Sequence, residues 1–275
     1  MFKKYFILVF LLATTIMRAV EPIKEYVDHP LNSISNISFE AVEITTEDNF
    51  SLKSWICMPA KEVDKHRVFV LAYGDSGNMS YYVRQVLEMV KQGYTIVMFD
   101  YRGYGESQAF EMETTMLYYD EFVTDLKAVV NYSKTRFKQP VGVWALSMGS
   151  IPATLLYSQD KFDYMVVEGF VSSPTLIIEK VKSHLQQEYK LPPSASEYEK
   201  ALSRLSLPML LFAGDRDGLT TPDESRRAKY LNAKNELVFF KGTHLQGFQA
   251  LSNEYHGQRY IEAIDNFFDI NLAKK

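Results

Sequence analysis

From residue 68 onward the chain repeats one pattern, a short and continuously apolar run followed by a longer stretch with apolar residues at helical spacing. Residues 68–72, 95–99, 141–145, 164–168, 209–213 and 237–240 are the short runs. Residues 81–91, 118–132, the stretch from Met148, 223–231 and 260–270 have the helical period. Strands that are apolar throughout, with no alternation, are covered on both faces, so the pattern predicts an α/β fold: a mostly parallel central sheet with helices on both sides. Upstream, residues 39–45 and 51–58 do alternate around Glu47-Asp48-Asn49, which predicts an N-terminal antiparallel hairpin. The rhythm breaks between 170 and 206, where a helix at 175–188, the pair Pro192-Pro193 and a polar helix at 197–205 read as an insertion over the carboxyl edge of the sheet, a small helical cap. With 275 residues, 47% of them hydrophobic, and no compositional boundary, the chain is expected to form one domain over about 38–272.

In an open parallel sheet, reactive groups gather outside the carboxyl ends of the strands. The stretch VWALSMGSIPA, 143–153, delivers Ser147 there, on a turn between strand and helix. A nucleophilic serine on such a turn takes the form G-x-S-x-G, small residues on either side letting strand and helix approach closely. Gly149 fits that form, and Ala145 replaces the first glycine with another small residue. A serine at this place can also simply cap the helix N-terminus.

A serine nucleophile needs a base, and histidine is the side chain suited to the task near neutral pH. Lys241-Gly242-Thr243-His244 follows the last strand and makes His244 the candidate; His29, His66, His184 and His256 lie in segments of surface or cap character. The imidazole needs a carboxylate to fix its tautomer. Asp217, in Gly214-Asp215-Arg216-Asp217, supplies it, with Asp215 and Glu168 as competitors; Asp215 is expected to bond within its own turn. Two backbone amides complete an oxyanion hole: Met148 N–H after the serine, and Asp75 N–H from the glycine-containing loop Tyr73-Gly74-Asp75-Ser76-Gly77-Asn78. A carboxylate beside a developing negative charge opposes it, so the Asp75 side chain is expected to point away and bond loop amides.

Lys3 and Lys4 precede an uncharged apolar run from Tyr5 to Met17, the outline of a secretory leader over residues 1–20. Its apolar run is short of the ~20 residues that span a bilayer. Export, periplasmic or secreted, is therefore expected, with an uncleaved N-terminal anchor as the alternative and membrane contact only in that case. Loss of Lys3, Lys4 and Arg18 would take the net charge from −4 to −7. This acidic balance offers no footprint for nucleic acid. The single cysteine, Cys57, has no internal disulfide partner and sits in an alternating stretch, which predicts a core thiol. No metal or organic cofactor is called for, and the sequence assigns no oligomeric state.

FDYRGYGES, 99–107, and GDRDGLTTP, 214–222, make the chain from about 38 to 272 resemble an α/β-hydrolase of the serine aminopeptidase-like, Bem46-like group. The order serine, acid, histidine along the chain is the order of that fold and differs from the chymotrypsin and subtilisin orders. The resemblance implies loop shaping for Arg102 and the nearby glycines. It also implies hydrolysis of a carboxylic ester, thioester or amide through an acyl-enzyme. Many relatives carry a histidine where this chain has Tyr73 and a glycine where it has Ala145. Leu176, Ile177, Ile178, Val181 and Leu185 of the cap suggest an apolar wall for a small acyl substrate. An aminopeptidase-like serine peptidase, which needs an acidic group near Ser147 for a free amine, and a non-catalytic ligand-binding member of the fold are the alternatives.

Overall fold

The hairpin forms as the alternation requires. In the computed structural model, which describes residues 18–29 and 37–271, β1 (Ser38–Thr45) and β2 (Ser51–Met58) pair antiparallel, with Ser38 opposite Met58 and Thr45 opposite Ser51. Six further strands follow: β3 (Val68–Ala72), β4 (Thr95–Phe99), β5 (Val141–Leu146), β6 (Tyr164–Glu168), β7 (Met209–Gly214) and β8 (Glu236–Phe240). The sheet order is β1-β2-β4-β3-β5-β6-β7-β8, with β2 antiparallel to β4 and every later pair parallel. Every residue of β3 to β7 is buried, as their continuous apolar character demands.

The helices are α1 (Val83–Lys91), α2 (Glu121–Phe137), α3 (Ser150–Gln159), α4 (Pro174–Leu185), α5 (Tyr198–Ser203), α6 (Pro222–Lys229), α7 (Gly247–Ala250) and α8 (Gln258–Asn271). Two boundaries differ from expectation. Residues 79–82 form a 3-10 turn ahead of α1, because the Asn78 side chain accepts from Ser80 N–H at 3.0 Å and caps it. Helix α2 begins after Tyr118 and runs on to Phe137, since its last turns carry polar residues that give no apolar period. The cap holds α4 and α5, and Ser173 caps α4 by accepting from Leu176 N–H, with Pro174 in the first turn.

Strand β3 leads to β4 on one side, and β4 leads back past β3 to β5 on the other, so the direction of winding reverses at β3 and opens a crevice at its carboxyl end. The register brings neighbouring strand ends level there: Ala72 faces Ala145, Leu146 faces Glu168, Glu168 faces Phe212, and Gly214 faces Phe240.

Residues 18–29 also belong to the folded body, although the sequence placed the start of the domain at 38. Glu21–Pro22 pairs parallel with Ser76–Gly77, and Ala19 and Val20 are buried. Residues 1–17 of the expected leader lie outside the described residues, as do 30–36 and 272–275. Among the described residues no helix is long and apolar enough to cross a membrane.

Arg102 ties the hairpin to the helical layer. Its Nε donates to Asp125 Oδ1 at 2.9 Å, its backbone N–H to Asp125 Oδ2 at 2.9 Å, and its terminal nitrogens reach both oxygens of Asp48 in the hairpin turn at 2.7 and 3.0 Å. The guanidinium also lies over the Phe50 ring, 4.1 Å from its centroid. Burial pushes Asp125 up to about 6 even with Arg102 pulling it down, so the pair is a costly one held by geometry. Arg102→Ala strands the Asp125 carboxylate in the interior, and denaturant unfolding at pH 7 is expected to show a loss of about 3–5 kcal/mol.

Candidate active site

Ser147 sits where β5 ends and the helical turn before α3 begins, with φ of 49°, in the left-handed region that side-chain-bearing residues seldom adopt. The neighbours explain how the turn closes. A Cβ on Gly149 would lie 2.0 Å from the Ala72 carbonyl oxygen, so only glycine fits two residues after the serine. Two residues before it, the methyl of Ala145 is fully buried and accommodated. Ser150 Oγ donates to the Ser147 carbonyl at 2.7 Å and accepts from Val171 N–H at 3.0 Å, which pins the turn to the chain after β6.

The serine hydroxyl does not cap the helix. Its Oγ lies 2.7 Å from His244 Nε2, and His244 Nδ1 lies 2.8 Å from Asp217 Oδ2. A carboxylate only accepts, so Nδ1 carries the proton toward Asp217 and Nε2 is left to accept from the serine. The three residues come from the ends of β5, β7 and β8. Asp217 is buried and accepts three further bonds, from Leu219 N–H, Thr220 N–H and Thr220 Oγ1 at 2.9, 3.0 and 2.8 Å. Burial alone would raise its pKa; the hydrogen bond and charge of His244, with the Thr220 bonds, bring it below the ordinary carboxylate value.

Of the competing acids, Asp215 is exposed and accepts from Gly242 N–H at 3.0 Å, so it steadies the histidine loop rather than its own turn. Glu168 is buried and accepts from Gly247 N–H at 2.6 Å, just beyond the histidine. Cys57 is buried, and burial pushes its thiol up to about 12, in keeping with a core thiol.

Gly169 and Thr220 were not singled out from the sequence. Gly169 has φ of 69°, and a Cβ there would lie 2.8 Å from His244 Cε1, so its absence makes room for the imidazole. Gly169 stands directly after the end of β6 and Thr220 two residues before α6, positions too common to single them out.

Beside Ser147 lies a cavity of about 180 Å³. Ile177 and Val181 of α4 line it, together with Ile151, Val171 and Leu117. The expected wall is thus carried by two of the five cap residues. Leu176 is exposed, Ile178 faces a separate hollow with Lys182 and Glu188, and the side chain of Leu185 lies outside the described residues. Lys180 Nζ donates to the Leu219 carbonyl at 2.7 Å and to Glu224 at 2.6 Å, which fastens α4 to the loop bearing Asp217.

Met148 and Asp75, the expected amide donors, border the same cavity as Ser147. The Asp75 side chain was expected to bond loop amides away from the site; no such bond to a neighbouring residue forms. Burial raises its pKa, while its own amide and the nearby His244 lower it, and its charge also reaches Tyr189 across the cavity. The cause is the loop's anchoring: Tyr104 OH and Glu21 N–H both donate to the Asp75 carbonyl, at 2.7 and 2.8 Å, and fix the residue over the cavity. Among the described residues no group of three His, Cys, Asp or Glu side chains gathers as metal ligands.

The fold matches known proteins. An esterase from Pyrococcus furiosus superposes with a TM-score of 0.72 at 22% identity, covering 92% of this chain and 97% of its own. A model of the serine aminopeptidase S33 family matches residues 64–192. The chain has the α/β-hydrolase fold. The chain is also similar to an uncharacterised protein, YfhR, of Escherichia coli O157:H7, at 24% identity over 84% of this chain and 80% of that one. An acylaminoacyl peptidase superposes with a TM-score of 0.63 at 18% identity, over 89% of this chain and 43% of the peptidase. At the carboxyl edge of this sheet, Ser147, His244 and Asp217 stand in contact.

Glu168 gives this edge a pH dependence. Burial pushes its carboxyl up to about 7, against the lowering effects of Gly247 N–H and His244. A carboxyl with a folded value above its unfolded one binds its proton more tightly in the native state, so stability falls as pH rises from about 4.5 to 7 and stays lower above. Glu168→Gln keeps an acceptor for Gly247 N–H and removes the ionisation. Chemical denaturation at pH 5 and pH 8 is expected to show wild type losing roughly 3 kcal/mol, at about 1.4 kcal/mol per pH unit, and the variant losing much less.

Proposed function

We propose that this protein is a serine hydrolase that cleaves a carboxylic ester or thioester through an acyl-enzyme. The observation that carries the reading is the unbroken contact from Ser147 Oγ to His244 Nε2 to Asp217. Ser147 Oγ attacks the acyl carbon as His244 Nε2 takes its proton. Asp217 holds the imidazole by Nδ1 and stabilises its charge. The Met148 and Asp75 amides receive the oxyanion. The tetrahedral intermediate collapses as His244 returns the proton to the leaving group, and water, activated by the same base, then releases the acid. The cavity beside Ser147 is mostly apolar and smaller than the ~300–1,000 Å³ of sites for drug-sized ligands, which favours a short acyl group over a polar chain. We propose export as the setting of this activity, on the strength of the leader-like N-terminus, with the chain from Arg18 onward retained because Ala19 and Val20 are buried in the folded body.

A fluorophosphonate probe tests the nucleophile. The wild-type chain is expected to label, and Ser147→Ala to show no labelling while keeping its thermal unfolding midpoint. A folded wild type that refuses the probe would favour the non-catalytic, ligand-binding reading.

The placement of Asp75 favours the peptidase as a second reading, since a half-buried carboxyl bordering the Ser147 cavity is the acidic group a free α-amine would seek. The two substrate classes separate on Asp75→Asn. For ester hydrolysis the variant is expected to gain rate above pH 7, roughly tenfold for about 1.4 kcal/mol of removed repulsion toward the oxyanion. For aminoacyl p-nitroanilides it is expected to lose rate through a higher KM. Steady-state kinetics on both substrates decides.

A further inference from the structure

One wall of the cavity comes from a segment that the catalytic arrangement does not use. Ala19 is buried and borders the cavity with Ser147, Met148 and Ile177. Its backbone is fixed by the donation of Ala19 N–H to the Thr114 carbonyl at 2.7 Å. The next residues form a strap along the loop that carries Asp75: Glu21 N–H donates to the Asp75 carbonyl at 2.8 Å, and Ile23 N–H to the Gly77 carbonyl at 3.0 Å. Asn78 Nδ2 returns bonds to the carbonyls of Ile23 and Glu25 at 3.0 and 2.8 Å. Tyr26 OH closes the strap on the buried Asp100 carboxyl at 2.6 Å. Residues 18–29 lie outside the stretch matched by the family model, residues 64–192.

The remaining apolar lining is supplied by bulkier side chains, among them Leu117, Ile151, Val171, Ile177, Val181 and Leu219. Ala19 is the smallest side chain among them, and it is held by backbone bonds that a substitution leaves in place. We propose that Ala19 is a specificity-determining residue, whose methyl group leaves open the part of the cavity that the end of an acyl chain occupies, so that the strap limits the size of the acyl group Ser147 receives. This inference rests on the serine-hydrolase reading given above. A larger side chain at 19 would then fill empty space and shorten the acyl chain that fits, with no overpacking of the core. If the methyl instead faced packed atoms, the same change would cost about 1–3 kcal/mol.

The test uses the full chain with Ala19→Leu and Ala19→Phe, assayed on the p-nitrophenyl esters of acetate, butyrate, hexanoate and octanoate. The ratio of kcat/KM for octanoate to that for acetate is expected to fall at least roughly tenfold in Ala19→Phe and by a smaller factor in Ala19→Leu, since one methylene in a pocket is worth about 10- to 200-fold in discrimination. A ratio within twofold of wild type in both variants overturns the proposal, whatever the absolute rates; Ala19→Leu carries the test alone where the phenylalanine variant fails to fold. Fluorophosphonate labelling reports separately on the nucleophile. If wild type neither labels nor turns over, thermal shift with n-alkanols of four to ten carbons reads the same wall. The longest alcohol that stabilises the protein is then expected to be shorter for the variants, and an unchanged length limit overturns the proposal.

Discussion

The structure turns on the close approach of Gly149 to the carbonyl of Ala72. That contact leaves no room for a side chain, and it holds the turn after β5 hard against the end of β3. With Ala72 and Ala145 level across the sheet, the chain must reverse from strand to helix within three residues, and Ser147 takes the left-handed backbone that this requires. A left-handed residue with a side chain costs of order 1–3 kcal/mol and persists only where its surroundings over-determine it. Here Ser150 Oγ bonds the Ser147 carbonyl and receives Val171 N–H, and the adjoining strands are fully buried. The hydroxyl is thereby presented at the sheet edge instead of folding back onto the helix amides.

Four buried or half-buried acids surround that edge, and their partners divide their roles. Asp217 has His244 and the donors of Thr220 and Leu219, so it is held charged. Glu168 takes a backbone amide and is driven the other way by burial. Asp100 lies behind the Asp75 loop, where Tyr26 OH, Tyr73 OH and Met79 N–H all donate to it, yet burial still raises its pKa. Asp75 alone faces the cavity with little to stabilise its charge. Coulomb's law sets the order: at an effective dielectric of ~20, opposite charges 4 Å apart gain about 4 kcal/mol. Only Asp217 stands at that range from a cation-forming group. The edge is therefore a single strong pairing set among weakly compensated acids, and it is the pairing that selects Asp217 over Glu168.

Much of this was legible in the sequence, because the determinants are local. Uninterrupted apolar strands mark a parallel sheet, and Ser147, Asp217 and His244 each stand a fixed short distance past a strand, where the sheet alone predicts convergence. What escaped was whatever depends on distant backbone. Gly169 makes room for an imidazole 75 positions away in the chain, and nothing around it says so. Asp215 bonds the histidine loop because β7 and β8 run parallel and adjacent, a relation that turn chemistry does not contain. The orientation of Asp75 is set by Tyr104 and Glu21, which lie in other segments. The segment 18–29 escaped for a different reason: its first three residues fall within the apparent leader, and its two-residue pairing is too short to leave an alternation.

Tyr73 fits this wider support. Tyr73 is fully buried; its ring stacks on Tyr82 with centroids 5.6 Å apart and meets Tyr101 and Tyr104 edge-on at 5.2 and 5.9 Å. Its hydroxyl reaches Asp100 Oδ1 at 3.2 Å, on the same carboxylate that takes Met79 N–H at 2.7 Å. The loop from 73 to 79 is thus gripped at its start by an aromatic cluster, at its middle by Tyr104 and Glu21 on the Asp75 carbonyl, and at its end by Asp100. A loop held at three points reorganises little when charge develops beside it, which is the condition under which a backbone amide stabilises an oxyanion best. The grip constrains the peptide planes as much as the side chains. The two bonds on the Asp75 carbonyl hold the peptide plane between residues 75 and 76. Buried aromatic area and one shared carboxylate thus hold the loop in place.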